Sequence, residues 1–125
     1  MAVEIVVLVP TLLMVMLLVV AMGRYVSAEG DVQAAARDAV RAATLERDPV
    51  SALAAAQSAA AMDIPASMTC APATLDGTFA AGATVSVTLA CEVSWADMGL
   101  IGLSGTARVA ATRRAPLDAF RRTGP

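Results

Sequence analysis

Residues 5–23 read IVVLVPTLLMVMLLVVAMG, an apolar run without a charged side chain. As a helix, these 19 residues span roughly 28 Å at about 1.5 Å per residue, close to the ~30 Å hydrocarbon core of a bilayer. A cleaved signal peptide would open with basic residues and end in small ones. This run instead follows Glu4 and ends in Gly23, Arg24 and Tyr25, a cation and a ring suited to the membrane interface. The stretch therefore predicts a retained transmembrane helix.

Glu4 and Pro10 are unusual residues for a permanent lipid anchor. A carboxylate beside an apolar span is costly unless it is paired or interfacial. Glu4 either favours the positive end of the helix dipole or pairs with a cation inside an apolar assembly. Pro10 lacks an N–H and is expected to kink the helix or leave it locally unwound, which is tolerated where neighbouring helices satisfy the freed carbonyl. Both residues suit helix-to-helix packing better than permanent residence in lipid.

The helix is expected to continue past the membrane to about 40 residues in total, because residues 26–47 hold no Pro and are rich in Ala. The small and apolar residues share one stripe of a helical wheel: Val32, Ala35, Ala36, Ala39, Val40 and Ala43. The charged residues fall on the other side: Asp31, Arg37, Asp38 and Arg41. The stripe packs either on the chain's own head or on a neighbouring subunit.

The remainder of the chain predicts a small head of the α+β class. Asp48 is a good N-cap and Pro49 suits the first helical position, so a short second helix should run to about Met62 and end before Pro65. The chain then has three parts: the span (residues 1–24), its amphipathic extension (25–47) and the head (48–125).

After the second helix the apolar period changes from about 3.6 to about 2, which predicts strands. The clearest strand covers residues 84–95, where every second residue is apolar. A weaker strand covers residues 106–113, and a short one residues 68–74. We therefore expect a small antiparallel sheet of three strands. The last residues, 113–125, carry Arg113, Arg114, Arg121 and Arg122 and are expected to form a solvated tail.

Cys70 and Cys91 test the predicted pairing of the first two strands. In an antiparallel hairpin the residue numbers of each pair have the same sum. If Cys70 pairs with Cys91, the turn therefore lies near residues 80–81, inside the turn-rich stretch LDGTFAAGA (75–83). That register brings the two Cβ atoms close enough to bridge. We expect a structural disulfide in preference to two free thiols, worth roughly 3 kcal/mol for a loop of this length. A disulfide indicates an oxidising location outside the cytoplasm.

The apolar stretch MGLIGL separates the second and third predicted strands. It is either a loop folded back onto the core or an exposed patch that contacts a partner or the membrane surface. In the second case the contacting residues would be Met98, Leu100, Ile101 and Leu103.

Several functional classes are disfavoured by composition. The chain has no His, and its formal net charge is −2, which argues against a nucleic-acid partner. It also lacks a Gly-rich phosphate loop, paired carboxylates at helical spacing and a metal-ligand cluster. We therefore expect neither an enzyme nor a cofactor or metal site.

Residues 2–43 resemble the opening of the TadE-like family. The shared motif is a Glu near the mature N-terminus, an apolar run with an early Pro, a Gly-Arg-Tyr boundary and an Ala/Arg-rich helix. In this chain these are Glu4, Pro10, residues 23–25 and residues 33–43. The resemblance covers about a third of the chain, and a small β-region with an apolar, Gly-containing loop also fits.

The resemblance implies a minor pilin or pseudopilin of a Tad-type pilus or secretion system. Such proteins are made as prepilins with a basic leader, cut by a prepilin peptidase, and moved from the inner membrane into a filament by an assembly platform. The family's Glu neutralises the α-amino group of a neighbouring subunit, a role that would fall to Glu4. In the family this Glu is usually fifth after the cut, whereas Glu4 is fourth counted from Met1. The implied partners are other pilin subunits, the platform, the peptidase and, before assembly, the membrane.

Two features disagree on the orientation of the span. Arg24, with no Lys or Arg before it, favours a cytoplasmic C-terminal side. The expected disulfide favours the opposite, and a basic leader upstream of Met1 would remove the conflict. We expect a single-pass protein of the bacterial cytoplasmic membrane with its head outside, and an extracellular pilus after assembly. The alternative is a single-span anchored module that binds a partner through its head.

Overall fold

A computed structural model describes residues 2–96, 102 and 104–120. Its first element is one long helix, α1, from Ala2 to Thr44. At about 1.5 Å per residue, 43 residues extend roughly 65 Å, about twice the thickness of a bilayer core. The expected continuous helix through and beyond the apolar run is therefore confirmed.

Pro10 lies inside α1 without interrupting it. The local unwinding that the sequence allowed is absent, because the residues on both sides of Pro10 remain helical. The Thr11 hydroxyl donates a hydrogen bond to the Val7 carbonyl at 2.8 Å, a contact one turn back that often accompanies a bend. A kink at Pro10 stays a prediction.

A second helix, α2, covers Pro49–Asp63 and begins as its sequence predicts. The Ser51 N–H donates to Oδ1 of Asp48 at 2.9 Å, and the Ser51 hydroxyl donates to Oδ2 at 2.6 Å. These hydrogen bonds hold the pKa of Asp48 below its ordinary value. The helix ends at Asp63 because Ile64, which precedes Pro65, takes an extended conformation.

The two helices pack through alanine. In α1 the predicted stripe of six residues is buried along its whole length. In α2 the buried residues are Ala52, Ala56 and Ala60, spaced four apart on one face. Such small side chains let the two helix backbones approach closely. The stripe thus packs on the chain's own head, one of the two outcomes left open by the sequence.

The sheet has β3 (Thr84–Ser94) at its centre and β4 (Thr106–Pro116) along one edge. Two short strands, β1 (Met68–Cys70) and β2 (Thr74–Asp76), pair with β3 on its other side. All pairings are antiparallel. The expected antiparallel sheet is confirmed, with four strands where three were expected.

The predicted first strand is divided by a bulge. Cys70 pairs with Cys91 and Thr74 pairs with Thr88, so residues 71–73 of one strand face only residues 89–90 of β3. One residue is therefore extra on the edge, in a segment that contains Pro72, which cannot donate to the ladder.

Residues 113–117 differ from the expected solvated tail, whereas Arg121 and Arg122 of that tail lie outside the described residues. β4 continues to Pro116, and the Leu117 N–H donates to the Ala83 carbonyl at 2.7 Å. The Leu117 side chain is buried in the core, and Arg113 is half-buried. Strand pairing therefore extends three residues beyond the predicted end at Arg113, since the partner residues at the start of β3 are available.

The core lies between the inner face of β3 and the two helices. The largest fully buried side chains are Leu89, Val32, Val85, Val87 and Cys91. Every buried side chain among the described residues is apolar, and most are Ala or Val. A core of such small side chains buries little apolar area per residue, so we expect a covalent cross-link to contribute a large share of the head's stability.

Candidate functional site

Residues 2–20 of α1 form a long surface that the rest of the described chain leaves exposed. All residues from 2 to 20 are exposed, and the large apolar ones range from Val20 at 45% exposed to Val3 at 74%. A continuous apolar surface of this length is unsuited to water and requires lipid or other helices around it. Among the described residues, α1 alone is long and apolar enough to cross a membrane, as expected of a single-pass anchor.

Glu4 lies in the first turn of α1 on this exposed surface. Apolar side chains surround it, with Val3, Val7 and Leu8 lining the same shallow groove. The nearest side-chain cation along α1 is Arg24, about 30 Å away on the helix axis. A side-chain partner for the Glu4 carboxylate would therefore have to come from another molecule.

Cys70 and Cys91 form the expected disulfide, with an S–S distance of 2.00 Å and Cα atoms 4.0 Å apart. The register inferred from their numbers is confirmed, since they are directly paired across β1 and β3. Cys91 is buried in the core and Cys70 is half-buried at the edge. The bridge therefore ties a three-residue strand, which has little pairing of its own, to the centre of the sheet.

A polar link between α1 and β4 was not anticipated from the sequence. Nη2 of Arg113 donates to Oε1 of Gln33 at 2.6 Å, and Nε2 of Gln33 donates to Oε1 of Glu29 at 3.3 Å. Nε of Arg113 is buried without a hydrogen-bond partner. The link joins residues 80 positions apart, so no local pattern could have indicated it.

Asp38 and Asp63 bring two carboxyl groups together where α1 passes the end of α2. A hydrogen bond with Asp38 raises the pKa of Asp63, and desolvation and the charge of Asp38 act in the same direction. The folded state therefore binds a proton here more readily than the unfolded state does. This contribution to stability is present below the ordinary Asp value of 3.8 and is lost as the pH rises through the raised pKa.

Asp63→Asn is accordingly expected to raise the melting temperature of the chain at neutral pH, because it removes the repulsion between the two carboxylates. The gain should shrink as the pH falls below 3.8, because Asp63 then becomes protonated in the folded and the unfolded state alike. Thermal melts of the full chain in detergent, followed by circular dichroism across pH, measure this. Asp76→Asn, an exposed Asp on β2, is the matched control. A gain of equal size at acidic and neutral pH would contradict the repulsion.

The remaining predicted site residues lie outside the described residues: Met98, Leu100, Ile101 and Leu103. Their contact with a partner stays a prediction. Within residues 2–96, 102 and 104–120, no group of three or more His, Cys, Asp or Glu side chains is placed to hold a metal ion.

The exposed apolar part of α1, which continues into a disulfide-closed α+β head, fits a single-pass membrane anchor. The family model that describes TadE-like proteins matches residues 1–41 of the chain. The match covers the apolar run, Glu4, Pro10 and most of the small-residue stripe, and it confirms the resemblance inferred from those residues. No curated protein and no solved structure matches the chain significantly.

Proposed function

We propose that this protein is a structural minor pilin or pseudopilin of a Tad-type pilus, held in the cytoplasmic membrane by α1 until it is assembled. One observation carries the proposal: within a single unbroken helix, residues 2–20 are exposed and, apart from Glu4 and Thr11, apolar, while the small-residue stripe of residues 32–43 is buried in the head. A subunit built this way can exchange lipid for neighbouring helices around its first half. Its head does not have to rearrange, because the buried contacts of the head with α1 begin only at Ala21 and leave residues 2–20 exposed.

The chemistry of Glu4 supports assembly over permanent anchorage. Its carboxylate lies within an apolar helix surface and has no cationic side chain nearby on α1. In a bundle of such helices, the α-amino group of an adjacent subunit would supply the cation. Pairing there removes the cost of enclosing a lone carboxylate in an apolar environment. The partners are accordingly other pilin subunits, with the assembly platform and prepilin peptidase acting before them.

The alternative is a single-span anchored module that binds a partner through its head. The two functions predict different cellular locations for the protein. In cells that carry a Tad system, we expect the chain both in the membrane fraction and in pili sheared from the cell surface. A chain that stays entirely in the membrane while the major pilin is sheared off would contradict the pilin proposal and favour the anchored module.

A further inference from the structure

The head meets α1 before the apolar run of α1 has ended. Ala21, at 7% exposed, is the only buried position among residues 2–27. It lines a groove of about 270 Å³ with Leu18, Met22 and Tyr25 of α1 and with Trp95 and Ala107 of the head. We call this the junction groove. The head therefore overhangs one side of the last turns of the predicted span.

The position of Trp95 over this groove is set by the fold. β3 ends at Ser94, and the backbone N–H of Trp95 donates to the Gly105 carbonyl at 3.1 Å. Gly105 has φ of 114°, and a Cβ there would lie 3.4 Å from Cδ1 and Nε1 of the Trp95 indole. The indole is thus packed against the loop end on one side, and it is only half-buried overall.

The depth of the junction groove follows from the helix. Leu18 lies seven residues before Tyr25, or about 10 Å along the axis. With Arg24 and Tyr25 at the interface, the Leu18 end of the groove would lie among acyl chains and the Tyr25 end at headgroup level. The head cannot move away from the membrane surface independently of the span, because α1 continues without a break from the span into the core.

The chemistry of the junction groove suits lipid. Its lining carries no charged side chain. Its two rings, Tyr25 and Trp95, are the residue types that prefer the membrane interface, with an apolar body and a polar tip. The α1 side remains open, with Leu18 57% exposed and Met22 62% exposed. That side continues directly into the exposed apolar surface of residues 2–20, for which lipid is the solvent before assembly.

We propose that the junction groove holds an acyl chain of a phospholipid from the extracytoplasmic leaflet, and that the head rests on the membrane surface through Trp95. The inference rests on the proposed membrane anchorage of the unassembled subunit. It assigns to the head a lipid contact that is lost when the subunit leaves the membrane.

Trp95 is the only Trp in the chain, so its fluorescence reports on this groove alone. The experiment uses the full chain in phosphatidylcholine nanodiscs, one copy per disc, with lipids brominated at chosen depths of the acyl chain. We expect bromines near the headgroup to quench Trp95 about twofold more strongly than bromines near the bilayer centre. Iodide in the water should quench it weakly.

A second variant separates failure of the inference from failure of the anchor. In the double variant Tyr25→Trp with Trp95→Phe, the single Trp lies on α1 itself. If bromolipids quench this variant while Trp95 of the wild type is quenched by iodide only, the lipid contact is overturned and the anchor stands. Absence of bromolipid quenching in both would overturn the anchor and the contact together.

A second copy of the chain is the competing occupant of the junction groove. Suppose that iodide quenches Trp95 strongly in discs with one copy and weakly in discs with two. That result would assign the groove to a neighbouring subunit and overturn the lipid contact. Equal bromolipid quenching at one and two copies would support it.

Discussion

Glu4→Ala is expected to leave the protein inserted in the membrane and to abolish its incorporation into pili. Insertion depends on the apolar run of residues 5–23, which the substitution leaves unchanged. Incorporation depends on neutralising a neighbour's α-amino group within a helical bundle, where removal of one partner leaves the other charge enclosed and unpaired. Loss of one member of a buried pair costs roughly 3–5 kcal/mol, so the amount in sheared pili should fall on the order of a hundredfold or more.

The measurement compares membrane and sheared-pilus fractions by immunoblot, with Val3→Ala as the matched control. Val3 adjoins Glu4 and is 74% exposed, so its truncation removes apolar surface at the same turn without removing the charge. We expect Val3→Ala to assemble normally and Glu4→Asp to assemble in part, because a shorter carboxylate reaches the amine less well. Normal assembly of Glu4→Ala would refute the pairing role and favour the anchored module.

Removal of the disulfide has the second large expected effect. Cys70→Ala with Cys91→Ala should lower the stability of the head by roughly 3 kcal/mol, since the bridge closes a loop of about 22 residues in the unfolded chain. For a domain of this size, that corresponds to a drop in melting temperature of more than about 10 °C. Circular dichroism of the full chain in detergent, at wavelengths sensitive to Trp95 packing, follows the melt.

Reduction provides the control for this prediction. A reducing agent should lower the melting temperature of the wild-type chain to that of the double variant and should leave the double variant unchanged. Cavity formation at the buried Cys91 would instead destabilise the variant alone. Equal melting temperatures for the oxidised and reduced wild-type chain would show that the bridge does not stabilise the head.

Elements with a strong local signal were predictable from their own residues. The capping of α2 by Asp48 and Pro49 requires only groups within a few residues of each other, so its start was predicted correctly. The alternation that predicted β3 and the stripe that predicted the buried face of α1 are likewise properties of single elements. The Cys70–Cys91 register could be predicted because the residue numbers of the two cysteines and the position of the turn between them determine which residues of a hairpin are paired.

Features set by contacts between distant segments were missed. The bulge within residues 71–73 depends on how a short edge strand is held against β3, and the order of β3 between its partners depends on all the strands together. The extension of β4 past Arg113 needs the opposite end of β3 as its partner. The hydrogen bond from Arg113 to Gln33 joins a strand to a helix formed much earlier in the chain.

The long apolar helix carrying a disulfide-closed head is thus the part of this protein that its sequence determines alone. Hydrophobic period, caps and cysteine spacing act over short distances, and they fix which residues are buried in the core and which stay exposed. Only the tertiary structure placed the head over the last turns of the span, with Trp95 and Tyr25 on the same groove. That placement follows from packing the alanine faces of α1 and α2 together with the sheet, and packing of distant segments leaves no local pattern in the sequence.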